Sequence, residues 1–264
     1  MNASESWLRP VEEALGAADR AVRFFFRDDD AGWGDVRLIE LLDRFAACSL
    51  PVDLAVIPCE LDARLAGELL SRPGVGLHQH GLAHVNHERE GRKCEFGPAR
   101  AATAQRRDIE AGRARLAHLL GARVDPIFTP PWNRCTADTG RCLAALGFEV
   151  LSCEARVAPL DVPGLHELPV AIDWFAHRHG ERLRPAELGR RIADVIGLGG
   201  PVGVMFHHAV MDDAEMRRAG ELLSVIAGHS RARPALMMQL VRRAASVAGA
   251  GAGAGAGAAR TGAA

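Results

Sequence analysis

Short apolar runs alternate with longer stretches of helical periodicity along most of the chain. Trp7, Leu8, Val11, Ala14, Leu15 and Ala18 recur at helical spacing within residues 7–20. Ala21 to Phe26 is then apolar and aromatic apart from Arg23, the pattern of a strand covered on both faces. The alternation continues with a helix over Val36–Cys48, a strand over Val52–Ile57, a helix over Leu61–Leu70 and a strand over Val75–Leu77. A charged, Gly-punctuated loop occupies 87–97. Beyond it the pattern predicts a long helix over Ala99–Leu120 closed by Gly121, and a strand over Val124–Phe128 stopped by Pro130-Pro131. A helix over Thr136–Leu146 and strands over Phe148–Ser152 and Leu165–Ile172 come next. A helix over Pro185–Ile196, a strand over Val202–Phe206 and helices over Asp212–Ala227 and Ala235–Val247 complete it.

About seven strand–helix units in alternation predict a parallel sheet. The α/β arrangement that suits them best is a single distorted or incomplete (β/α) barrel over residues 1–247, with an open doubly wound sheet as the second choice. From Ala248 to Ala264 the composition collapses to Gly and Ala, broken only by Arg260 and Thr261. Such a segment buries too little to offset the entropy of ordering, so a disordered tail is expected.

An apolar fraction of 48% and a charged fraction of 25% are those of an ordinary globular protein. The formal net charge of −1 gives no broad field that would draw nucleic acid or an anionic membrane surface. No run of about 18 apolar residues is present to span a bilayer. Residues Met1 to Trp7 lack the basic and apolar regions of a secretory signal, so a cytoplasmic protein is expected. Cys48, Cys59, Cys94, Cys135, Cys142 and Cys153 are scattered without a C-x-x-C pair. They read as reduced packing residues rather than a disulfide framework or a thiolate metal site.

The chemistry concentrates at strand ends. Four of the 11 histidines (His78, His80, His84 and His87) fall within ten residues after the strand at Val75–Leu77. If the backbone turned helical there, His80 and His84 would share one face, about 5–6 Å apart at Cβ. Neutral imidazoles are common ligands of zinc and similar ions, and a catalytic site of this kind takes a third protein ligand and leaves one position open. The third ligand has a candidate source in Asp28-Asp29-Asp30, which a buried strand delivers to the same rim. One carboxylate of the triplet can complete a His-His-Asp site while a neighbour serves as general base; read alone, the triplet is equally a solvated turn. Thr129 to Arg134, Asp173-Trp174 and His207-His208 also end strands, on the rim where barrels carry their sites.

Taken together these motifs resemble the polysaccharide deacetylases of the NodB-homology type, carbohydrate esterase family 4. The resemblance covers roughly residues 22–210 and implies a distorted (β/α)7-8 barrel that removes acetyl groups with one divalent metal ion. Phe26-Arg27-Asp28-Asp29-Asp30-Ala31 is similar to the first motif, which implies Asp29 as base and Asp30 as ligand; a slip of one would give Asp28 and Asp29. His80 and His84 match the His-x-x-x-His ligand pair. Thr129-Pro130-Pro131-Trp132 is similar to the third motif, implying Pro131 and Trp132 beside the substrate and the Trp132 N–H facing the oxyanion. Asp173-Trp174 implies an indole wall for the acetyl pocket, and Met205-Phe206-His207 implies His207 as general acid.

The chain departs from the family at Thr129, where an Arg usually pairs with the base; Arg27 and Arg134 are the candidates to replace it. His208 stands where Asp is usual. With no secretory signal, these departures point to a small-molecule or glycan-precursor substrate inside the cell. Zinc is the first choice of metal, with cobalt, manganese and nickel also suited to the donors. Hydrolysis of a ureide or cyclic amide, and a catalytically inactive barrel that binds sugar or metal, are the rival readings. His118, His166, His177, His179 and His229 carry no assigned role.

Overall fold

The computed structural model describes residues 6–178, 181–244 and 246. The expected tail at 248–264 and His179 lie outside the described residues. Strands β1 (Val22–Ala31), β2 (Val52–Val56), β3 (Val75–His80), β4 (Val124–Thr129) and β5 (Val150–Leu151) lie side by side in chain order, all parallel. Two-residue strands follow: β6 (His166–Glu167) beside β5 and β7 (Ile172–Asp173), with a small antiparallel hairpin of β8 (His177–Arg178) and β9 (Glu181–Arg182). Strand β10 (Val202–Phe206) packs between β1 and β7, and β11 (Ala232–Pro234) pairs with the start of β1. Helices α1 (Arg9–Ala17), α2 (Asp35–Ala47), α3 (Ala63–Ser71), α4 (Ala102–Leu120), α5 (Ala137–Ala145), α6 (Pro185–Gly197) and α7 (Asp213–Gly228) connect and cover the strands. Residues 237–244 are also helical.

Leu165–Ile172, expected as one strand, is instead two fragments on different partners. Pro169 lacks an N–H to give to a ladder and interrupts the run. The first fragment pairs with β5, while Ile172 and Asp173 pair with β10. Between them the N–H of Val170 reaches the Cys153 carbonyl at 2.8 Å, and that of Ala171 reaches Gly203 at 3.1 Å. One short segment therefore touches both edges of the sheet and curls it into a distorted barrel.

Strand alternation sorts β1 into two faces. Phe24 and Phe26 point outward into the main core, against Phe45 of α2 and Phe206 of β10. Phe25 points inward, into a second cluster with Ile127, Val150, Met205, Met237 and Met238. The helix at 237–244 thus plugs the lower end of the barrel. The plug is anchored by Asp53 of β2, whose Oδ2 accepts the Met237 N–H at 2.9 Å. Burial pushes the Asp53 carboxyl up to about 8 despite that bond, so it is largely protonated at neutral pH.

Candidate functional site

The inward face of β1 continues from Phe25 to Arg27 and Asp29, each two residues on, so these side chains line the same barrel interior. Both polar residues are buried, at 0% and 1% exposure. Arg27 grips Asp29 with two bonds, Nε to Oδ1 at 2.8 Å and Nη2 to Oδ2 at 3.0 Å. Its remaining donors reach Ser152 O at 2.9 Å, Ser152 Oγ at 2.8 Å and Asn133 Oδ1 at 2.6 Å. Burial alone would raise the Asp29 carboxyl; the Arg27 guanidinium, helped by His80 and His207, outweighs it and holds Asp29 below the usual carboxylate range.

Asp28 and Asp30 depart from this face in different ways. Asp28 points outward, where its Oδ2 lies 2.6 Å from His208 Nδ1 and its Oδ1 accepts the His208 N–H at 3.0 Å. His208 Nε2 lies 2.6 Å from the Trp33 carbonyl. A ring whose two nitrogens both face acceptors is held as imidazolium. Burial opposes this, yet Asp28 and the Trp33 carbonyl raise the His208 pKa overall. Asp30 has φ 68°, and the β1–β2 register shifts between Asp28 and Ala31. Such a bulge re-aims the residue that carries it, and Asp tolerates the left-handed region better than most side chains. The Asp30 carboxylate is thereby turned toward the histidines.

No helix forms at the histidine cluster. His80 closes β3, Gly81 takes φ 56° and His84 takes φ 55°, so the loop doubles back rather than winding. A Cβ at Gly81 would lie 2.7 Å from Pro131 Cδ, so glycine is required where this loop crosses the proline pair. Glu95, buried in the charged loop at 87–97, holds the turn by accepting the N–H groups of Ala83 at 2.9 Å and Leu82 at 3.3 Å. The His84 ring sits between Trp33 at 4.7 Å and Trp132 at 4.4 Å, centroid to centroid.

Asp30, His80 and His84 offer ligand atoms that all lie within 4.8 Å of one another. Asp30 Oδ1 stands 3.1 Å from His80 Nε2 and 3.2 Å from His84 Nε2. Ligand atoms around a tetrahedral zinc with bonds of about 2.0–2.1 Å are separated by about 3.3 Å, so the spacing fits such an ion. His80 Nδ1 lies 3.0 Å from the Thr129 carbonyl; donating there leaves the Nε2 lone pair free, the usual arrangement behind a ligating imidazole. Burial raises the Asp30 carboxyl, but the two imidazoles outweigh it and bring it well below the carboxylate range. His80 is raised overall, its Asp30 bond overcoming burial.

Around this centre the remaining anticipated residues divide. His207 Nε2 is 3.9 Å from Asp29 Oδ2, and its buried Nδ1 has no protein partner. Pro131 is buried beneath the histidine loop. Trp132 and Asn133 take φ 56°, and Asn133 thereby reaches Arg27; a left-handed Trp costs about 1–2 kcal/mol. Trp174 is not brought to the cluster: its ring is buried in the main core, 5.0 Å from Phe206 and 6.2 Å from Trp7. The next residue, Phe175, meets the His207 ring at 5.9 Å. Arg134 points away, to the Lys93 carbonyl. His78 is buried with Nε2 2.9 Å from Thr129 Oγ1, and burial with the nearby Arg27 pushes it down to about 3. His87 is exposed in the loop beyond. Sequence reasoning missed Trp33, Glu95, Asn133 and Ser152. Only Trp33, directly behind the acidic triplet and Gly32, carried a positional hint.

No protein-family model matches the sequence, and no curated protein matches it. Solved structures do. A candidate polysaccharide deacetylase from Mycobacterium smegmatis superimposes with a TM-score of 0.68 at 18% identity, over 88% of this chain and 92% of that one. A family 4 acetyl xylan esterase from Clostridium thermocellum, in complex with a cobalt ion, gives 0.54 at 12% identity, over 83% and 89%. A mutant of a carbohydrate esterase family 4 pseudoenzyme with restored activity gives 0.57 at 13% identity, over 84% and 68%. The chain therefore shares the fold of the polysaccharide deacetylases and family 4 esterases.

Proposed function

We propose that this protein is a divalent-metal-dependent hydrolase of the polysaccharide deacetylase type, cleaving an acetyl group from an N-acetylated amino sugar or glycan precursor. One observation carries the reading: a His-His-Asp donor set and an arginine-paired, ionised carboxylate stand side by side on the rim of the barrel that known deacetylases share. Asp30, His80 and His84 would hold the ion, zinc first and cobalt, manganese or nickel as alternatives. Bound there, it would supply Lewis acidity toward a carbonyl oxygen and lower the pKa of water beside it.

Asp29 is kept anionic by Arg27 and accepts the proton of the attacking water. Water oxygen bonds to the acetyl carbon, the C–N bond breaks, and His207 gives a proton to the departing amine. The Trp132 N–H is assigned to the oxyanion, with Pro131 and Trp132 on the substrate side and Phe175, in place of Trp174, as the opposite wall. The pairing that the family resemblance puts on an Arg at position 129 is made here by Arg27, which removes the main sequence argument for an inactive barrel. We place the protein in the cytoplasm, in keeping with its six free cysteines. No helix of the described residues is long and apolar enough to cross a membrane.

The test is metal content together with acetate release from a panel of N-acetyl sugars. Asp29→Asn is expected to lose turnover while retaining metal, and full activity in that variant would remove the base assignment. Turnover confined to cyclic amides would move the reaction to the ureide class. Tight metal binding with no turnover on either panel would leave a binding protein.

A further inference from the structure

At the end of the barrel opposite the metal ligands, where β1, β10 and β11 begin, lies a cavity of about 920 Å³. Arg20, Arg23, Arg233 and Arg243 line it, against the single carboxylate of Asp19. Arg23 and Asp30 are seven residues apart on β1, a separation of roughly 23 Å along an extended strand. The cavity is therefore distinct from the candidate active site, and its chemistry is independent of the deacetylase reading.

What sets the four arginines apart is that they line one hollow together. Some guanidiniums of this chain find carboxylates, as Arg37 meets Glu40 and Asp213, Arg72 meets Asp43 and Glu68, and Arg100 meets Asp108, while Arg115 and Arg134 reach backbone carbonyls. Among the described residues, no carboxylate lies within ion-pair distance of Arg20, Arg23, Arg233 or Arg243, and all four are exposed. Helices α1 and α6 end at this cavity, and their terminal carbonyls could have claimed the guanidiniums. Among the described residues, none of the four bonds to those carbonyls; Arg233 alone reaches backbone oxygens, those of Ser230 and Ala232 in neither helix. Four like charges thus converge on one concavity in a protein whose formal net charge is −1.

We propose that this cavity binds a phosphorylated small molecule. Guanidinium forks match phosphate oxygens in pairs, and four of them suit a ligand with at least two phosphate charges better than a lone carboxylate. The volume falls in the range of about 300–1,000 Å³ that holds a small molecule. The basic groups are gathered in one hollow instead of running as a stripe, which argues against a nucleic-acid track. Val22, Ile196 and Leu240, themselves nearly buried, form the floor of the hollow.

Isothermal titration with ADP and with fructose 1,6-bisphosphate, using adenosine as the uncharged control, tests this and separates a nucleotide from a sugar phosphate. At least one of the two anions is expected to bind at a single site, with adenosine silent and the affinity falling as salt rises. Arg23→Ala/Arg233→Ala changes only exposed side chains and should melt at the wild-type temperature. It is expected to weaken binding about tenfold or more, the scale of losing charged hydrogen bonds. Absence of millimolar binding by either anion would overturn the proposal. So would equal binding by the double variant, which would place the anion elsewhere, including the metal site.

Discussion

Replacing Arg27 by Met removes the charge that lies against Asp29 while keeping much of the side chain's length. Asp29 is 1% exposed, so the loss leaves a carboxylate in a site that burial alone would push upward. The cost has a ceiling, because the group can protonate. Relative to an ordinary carboxyl near 3.9, that proton costs about 1.36 kcal/mol per pH unit, hence at most about 4 kcal/mol at pH 7 and about 1.5 kcal/mol at pH 5. The sign comes from the direction of the shift. In the wild type the depressed Asp29 contributes stability above its unfolded pKa, lost as pH falls through the folded one. In the variant the shift reverses, and stability is lost as pH rises. His80 and His207 retain part of the compensation, so the pH-dependent part of the penalty should be about 1–3 kcal/mol between pH 5 and 7. The bonds to Ser152 and Asn133 add a loss that does not vary with pH. Urea denaturation in chelator at the two pH values, on the wild type, Arg27→Met and Arg27→Met/Asp29→Asn, measures it. A penalty equal at both pH values, or unchanged by the added Asn, would refute the claim that Arg27 keeps Asp29 ionised.

Two further changes probe the frame around the site. His208→Ala should cost about 3–5 kcal/mol at pH 6, since it strands a buried Asp28. The wild type should also lose stability as pH rises through the elevated His208 pKa, a slope that calorimetry should find reduced in the variant. Gly81→Ala forces a Cβ against Pro131 at a positive φ, and should cost about 1–3 kcal/mol; elemental analysis should show weakened metal retention as the His84 loop shifts.

The central strands were readable because parallel strands covered on both faces leave continuous apolar runs, as at Phe24–Phe26 and Val202–Phe206. The seam at Leu165–Ile172 was not, because its halves belong to opposite edges and nothing local marks the change of partner. Within the site, His80 and His84 stood out by density. The division of labour in Asp28-Asp29-Asp30 did not, since identical side chains are separated only by strand alternation and a bulge. The family resemblance supplied the register that places Asp30 toward the histidines, but it expected an indole where Trp174 instead joins the core. Glu95 was invisible for a related reason: a carboxylate in a charged loop looks solvated until the turn it supports is known.

Because Arg27 and Asp29 are neighbours on one strand, no hinge lies between them. The segment after β4 can be exchanged, lengthened or rearranged, and the acid keeps its bidentate partner, losing only the Asn133 contact. Under the proposed function, the loops that would meet the substrate could therefore vary while Asp29 stays paired on the barrel wall.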